Sequence, residues 1–166
     1  MTQMNNPQSL DYEGETSLTP RAKDVVDRLM GPLGGGSTWR PRAVVLWAGA
    51  LADADGPVFW EVVIATYPSF DLVPQEDFAR LFARFATSMP PVNLPKRLTV
   101  YRGQSADQPK GLSWTLNREV AEGFARGHRF MNPNPVVLQL QVTRDQVAMY
   151  LTDRDEETVV LKAIPA

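Results

Sequence analysis

Three short segments of this 166-residue chain carry residue types and spacings that could do chemistry. They are Tyr101-Arg102-Gly103, Gly111-Leu112-Ser113-Trp114-Thr115, and Asp155-Glu156-Glu157 ahead of Thr158-Val159-Val160. A guanidinium keeps its charge and matches the oxygens of a phosphate in a two-point contact. Asp155 and Glu157 are two residues apart, so an extended segment puts both on one face. Taken singly, each segment also has a purely structural explanation. Arg102 reads as a solvated strand arginine, Ser113 and Thr115 as polar edge positions, and Glu157 as a turn residue before a strand.

The rest of the chain excludes several other chemistries. There are 0 cysteines, which removes disulfides and thiolate metal sites. His128 is the only histidine. A multi-histidine metal centre therefore cannot be built, and a lone loop histidine reads as a solvated side chain before a general base. Residues 31–38, G-P-L-G-G-G-S-T, have phosphate-loop glycine spacing, but Ser37 stands where the lysine belongs and no apolar strand precedes them. They read as a linker. Lys+Arg number 17 against 19 Asp+Glu, for a net charge of −2, which excludes a broadly basic nucleic-acid binder and leaves room only for a local patch.

Hydrophobic residues at 43% and charged residues at 22% are ordinary globular usage. The length suits one domain with a real core. Residues 1–20 lack the basic and apolar segments of a signal peptide, and the apolar stretches 43–52 and 58–65 are too short to cross a bilayer. The expectation is a soluble, cytoplasmic chain with no membrane partner.

The elements that must position the three segments follow from periodicity. Residues 1–17 are polar and read as a flexible arm. Thr19 then caps a helix with Pro20 at its first position, running to about Met30. Residues 42–51 fit a buried helix or a strand, and their alanines favour helix. Asp55-Gly56-Pro57 starts another helix with Phe59, Trp60, Val63 and Ile64 as its stripe. Pro74 opens a helix with Phe78, Leu81, Phe82 and Phe85 on one face, ending before Pro90-Pro91. The aromatics Trp47, Phe59, Trp60, Phe78, Phe82 and Phe85 read as core. Beyond Pro95 the pattern turns to strands at 98–102, 111–115, 136–142, 147–151 and 158–164, with one helix at 117–126. That helix sets Val120, Ala121, Phe124 and Ala125 on one side. Helices first and strands later predict an α+β fold, one domain over 18–166 with a helical part to 94 and a β-rich part from 95.

In this order the three segments resemble the ADP-ribosyltransferase superfamily of the arginine–serine–glutamate type. That family has an aromatic-Arg-Gly strand, then a Ser-Thr-Ser-like strand and an A-x-x-F-A helix, here Ala121-Glu122-Gly123-Phe124-Ala125. A late Glu-x-Glu strand completes it. The resemblance covers about residues 98–166 and implies a split β-sandwich preceded by helices. It implies an enzyme that uses NAD as a substrate, without a metal, and transfers ADP-ribose to a protein or nucleic-acid acceptor. Many small relatives of this type serve toxin or phage–host conflict.

Within that resemblance Glu157 stabilises the ribose cation formed as nicotinamide leaves, much as in glycoside hydrolysis. Glu156 is the fallback if the register is off by one. Arg102 holds NAD phosphate, Gly103 lets the backbone approach the nicotinamide amide closely, Ser113 orients Glu157 by a hydrogen bond, and Thr115 supports the strand. Tyr101 and Phe124 join the NAD-binding set. Trp114 either faces the core or walls the nicotinamide pocket. Phe130, in the loop after the helix, either stacks on nicotinamide or anchors a surface loop. Asp155 and Glu156 lie on the acceptor side. The alternatives are an NAD glycohydrolase and a catalytically inactive binding or inhibitor module with the same fold.

Overall fold

The computed structural model describes residues 18–127, 132–153 and 156–166, with Asp153 and Glu156 as backbone positions only. The fold is mixed α+β. Among the described residues there are five α-helices and two small antiparallel sheets. They fall into two compact units, one ending at Val73 and the other beginning at Pro74. The helical lead of the sequence is thus divided ahead of its last helix, which belongs with the strands.

The first unit holds α1 (Pro20–Met30), α2 (Arg40–Gly49) and α3 (Gly56–Thr66). Thr19 caps α1, with Pro20 at the first position as expected, and both oxygens of Glu61 on α3 accept from Thr19, at 2.9 Å from its amide and 2.8 Å from its hydroxyl. An N-cap satisfies amides that have no partner inside the helix. Residues 40–49 are helical, so the alanines decide the ambiguity between helix and strand. Phe59, Trp60, Val62 and Val63 are buried on α3. In the glycine-rich segment, a side chain at Gly34 would lie 2.3 Å from the Leu29 carbonyl and 2.4 Å from that of Arg28, so the segment packs closely on the end of α1.

The second unit opens with α4 (Gln75–Arg84), whose Phe78, Leu81 and Phe82 are buried. Strand β1 (Arg97–Ser105) pairs antiparallel with β3 (Pro135–Thr143), Tyr101 opposite Gln139 and Arg102 opposite Leu138. The second sheet has the order β2 (Ser113–Trp114), β5 (Glu156–Leu161), β4 (Val147–Asp153). Helix α5 (Arg118–Arg126) follows β2 and is capped by the Asn117 side chain. Both sheets contribute to one buried cluster: Leu98 and Val100 of β1, Val142 of β3, Trp114 of β2, Val147 of β4, Val159 and Leu161 of β5, and Leu94. No helix is long and apolar enough to cross a membrane, among the described residues.

Candidate functional site

Among the described residues, one backbone bridge joins the two sheets. Tyr101 and Thr115 form an isolated antiparallel bridge, with the Tyr101 amide 2.8 Å from the Thr115 carbonyl and the Thr115 amide 2.9 Å from the Tyr101 carbonyl. Continued by two residues, this pairing would set Gly103 against Ser113. The strands part instead. The Ser113 carbonyl accepts from Nη1 of Arg102 at 2.8 Å, so a guanidinium occupies the fork where a ladder bond would otherwise form. Nε of Arg102 donates to Oε1 of Gln104 at 2.7 Å. The Gln104 amide group in turn donates to the Gln108 carbonyl at 2.7 Å, and this glutamine is only 5% exposed.

Two glycines make room at the fork. A Cβ on Gly111 would lie 2.7 Å from Nη2 of Arg102. A Cβ on Gly103 would lie 1.8 Å from the Ala121 carbonyl and 2.5 Å from the Ala125 amide, so α5 rests directly on β1 there. The resemblance puts the nicotinamide amide against the Gly103 backbone; in the structure this chain's own helix packs there. The other side of the fork is anchored by the Leu112 amide, which donates to Oε1 of Gln75 at the start of α4, 2.7 Å away.

The remaining members of the Ser-x-Thr segment serve the fold more than the expectation allowed. Trp114 is 3% exposed within the cluster between the sheets, and its indole donates to the Gly111 carbonyl at 2.9 Å. Of its two expected places, the core is the one seen. The Thr115 hydroxyl accepts from the Asn117 amide at 3.1 Å and so shapes the turn into α5. Tyr101 is half-buried, with the guanidinium carbon of Arg118 5.9 Å from its ring centroid.

Glu157 is held differently from the expectation. Ser113 stands opposite Val160 and Trp114 opposite Val159. Opposed residues share a face and faces alternate, so Glu157 lies with Val159 and Trp114, whereas Ser113 lies with Val160 on the other face. Ser113 is also three positions along β5 from Glu157, about 10 Å at the rise of a strand. The expected Ser113–Glu157 hydrogen bond is not made. Oε2 of Glu157 accepts instead from the hydroxyl of Tyr150, 2.5 Å away on β4. That bond, with burial and the carboxylate charge adding to it, pushes the Tyr150 phenol up to about 12 from an ordinary 10.0. Glu156 opens β5 opposite Asp153 and belongs to the alternate set of positions, with Thr158 and Val160.

Arg102 shares its face of β1 with Leu98 and Val100, and Glu157 shares its face of β5 with Val159 and Leu161; those four apolar residues belong to the one cluster. The arginine and the glutamate thus extend rows of side chains that line the same interior layer. Phe124 is 48% exposed, although the helix periodicity groups it with buried Ala121 and Ala125. A narrow alanine ridge against Gly103 is what seats α5, which leaves the phenylalanine at the margin. Phe130, His128 and Asp155 lie outside the described residues.

The chain matches no family model, no curated protein and no solved structure. Two residues of the site were missed from sequence. Gln104 carries the right signal, since it follows Arg102 by two positions and so shares its face of an extended strand. Tyr150 carries no such signal, because its partner Glu157 is fixed by hairpin register alone.

Proposed function

We propose that the second unit is an ADP-ribosyltransferase-like domain that cleaves NAD at the nicotinamide–ribose bond and transfers ADP-ribose to a protein or nucleic-acid acceptor. The observation that carries this reading is the succession of strand pairings. The arginine strand touches the Ser-x-Thr strand at one bridge, and that strand pairs with the glutamate strand. Two small antiparallel sheets joined in this way are compatible with a split β-sandwich, and Arg102 and Glu157 lie along one layer between them.

The chemistry asks for those two charges. As the bond between ribose C1′ and the nicotinamide nitrogen breaks, its electron pair leaves with nicotinamide and positive charge grows on the sugar. The Glu157 carboxylate stabilises that charge and accepts from a ribose hydroxyl. Removing such a group costs on the order of 3 kcal/mol of transition-state stabilisation. The acceptor's nucleophile then bonds to C1′ and its proton passes to water. Arg102, still cationic while bonded to Gln104 and the Ser113 carbonyl, faces the diphosphate. A guanidinium stays charged and matches phosphate oxygens in a two-point contact.

A second reading has its own support. Arg102 bonds to Gln104 and to the Ser113 main chain, and Ser113 does not reach Glu157, so the same residues also serve as architecture for a non-catalytic binding or inhibitor module. Incubating the protein with NAD labelled in its adenylate half and a whole-cell lysate separates the readings. Label on a macromolecule supports the transferase, free labelled ADP-ribose alone supports a glycohydrolase, and unchanged NAD supports the module.

A further inference from the structure

We infer that Tyr150 is the positioning residue for Glu157, taking the part that the sequence pattern assigns to Ser113. This rests on the NAD-cleaving reading above. The two residues sit on neighbouring strands of a hairpin, Tyr150 opposite Val159 and Glu157 opposite Thr152. All four positions therefore share a face, and Tyr150 reaches Glu157 along the diagonal. Cross-strand diagonals of this kind are within range of an aromatic side chain. The Tyr150 ring packs against the buried cluster of Trp114, Val147 and Val159, so the hydroxyl is presented from a fixed base. A carboxylate with two rotatable bonds beyond its Cβ has several orientations. A hydrogen bond from a packed phenol to Oε2 selects one and directs Oε1 to a ribose hydroxyl.

Such a role is separable from simple packing. Tyr150→Phe keeps the ring and removes only the donor. A hydrogen bond to a charged group is among the stronger ones, and its loss at a transition state translates into roughly a tenfold fall in kcat. The effect belongs to kcat rather than to KM, because the carboxylate is required as charge develops and not for holding the adenylate half of NAD.

The test compares initial rates of nicotinamide release from NAD for the unaltered protein, Tyr150→Phe, Glu157→Gln and the double variant. The expected result is about a tenfold lower kcat with little change in KM for Tyr150→Phe, and no further fall when it is added to Glu157→Gln. A Tyr150→Phe rate within twofold of the unaltered protein, or an equal loss in both backgrounds, overturns the inference and leaves the NAD reading standing. No nicotinamide release from the unaltered protein overturns both. A measurement that leaves Tyr150 in place covers the case in which the variant does not fold. The Tyr150 ring carbon, followed by nuclear magnetic resonance, should titrate near 12 in the unaltered protein and move back towards 10.0 in Glu157→Gln. Identical titration in the two proteins means the pair is not formed, and the positioning role falls with it.

Discussion

Arg102 donates through Nη1 to the main-chain carbonyl of Ser113, 2.8 Å away, at the place where β1 and β2 separate. A side chain thus takes the acceptor that a continuous sheet would give to an amide. The guanidinium holds the fork open while staying cationic within it, and the neutral Gln104 amide fixes its other edge. The proposed binding of NAD phosphate is a second role for Arg102, separable from this structural one by substitution.

Gly103 and Gly123 should respond in opposite directions. A methyl at Gly103 meets the Ala121 carbonyl at 1.8 Å, whereas nothing lies within 4 Å of one at Gly123. Gly103→Ala is expected to destabilise the second unit by about 1–3 kcal/mol, as overpacking does. Gly123→Ala, within α5, should stabilise by about 0.5–1 kcal/mol through helix propensity. Urea unfolding of the two variants checks this, and a neutral Gly103→Ala would mean that α5 does not rest on β1.

Gly111→Ala should act on Arg102 and leave the fold nearly untouched. The added methyl would come within 2.7 Å of Nη2, the end of a flexible side chain, so the guanidinium moves more readily than the backbone. The expected outcome is a change in melting temperature of less than about 4 °C, equivalent to under 1 kcal/mol for a small domain. NAD turnover should meanwhile fall about as far as in Arg102→Ala. Full turnover in Gly111→Ala would separate Arg102 from the reaction.

Trp114 should behave as a core residue. At 3% exposure its removal as Trp114→Ala is expected to cost about 3–5 kcal/mol in chemical denaturation. Trp114→Phe loses the bond to the Gly111 carbonyl but keeps most of the packing, so its KM for NAD should match that of the unaltered protein. A raised KM with unchanged stability would return Trp114 to the wall of the pocket.

Tyr150 also sets an alkaline limit on stability. Its phenol is pushed up to about 12 in the folded protein, above an unfolded value of 10.0. Between those values the native state binds the extra proton, so the contribution is fully present below pH 10 and is lost as pH rises through 12. Melting temperature should fall more steeply across that window in the unaltered protein than in Tyr150→Phe. Parallel curves would show that the Tyr150–Glu157 bond adds nothing to folding.

Local signals carried much of the fold. Thr19-Pro20, Asp55-Gly56-Pro57 and Asn117 each mark a helix start, through a capping side chain at Thr19 and Asn117 and through a proline in the first turn at Pro20 and Pro57. The strands at Leu98, Val136 and Val147 were legible from apolar runs or alternation. What spacing did not fix was register. Ser113 and Glu157 look like partners when read in order, yet strand pairing places them on opposite faces and brings Tyr150 to the carboxylate. A shift of one residue flips a side chain to the other face, and nothing near Glu157 in the sequence sets that shift. Gly103 was expected to lie against nicotinamide; that Ala121 of the helix packs on it depends on contacts far along the chain.

The most direct measurement of the central claim is nicotinamide release from NAD by the unaltered protein, Arg102→Ala and Glu157→Gln, each first shown to be folded by its melting curve. The account predicts release by the unaltered protein and a loss of at least about 100-fold in kcat for Glu157→Gln, the scale for removing one electrostatic group from such a transition state. For Arg102→Ala it predicts a rise in KM. Release unaffected by Glu157→Gln, or none from a folded unaltered protein, would contradict it.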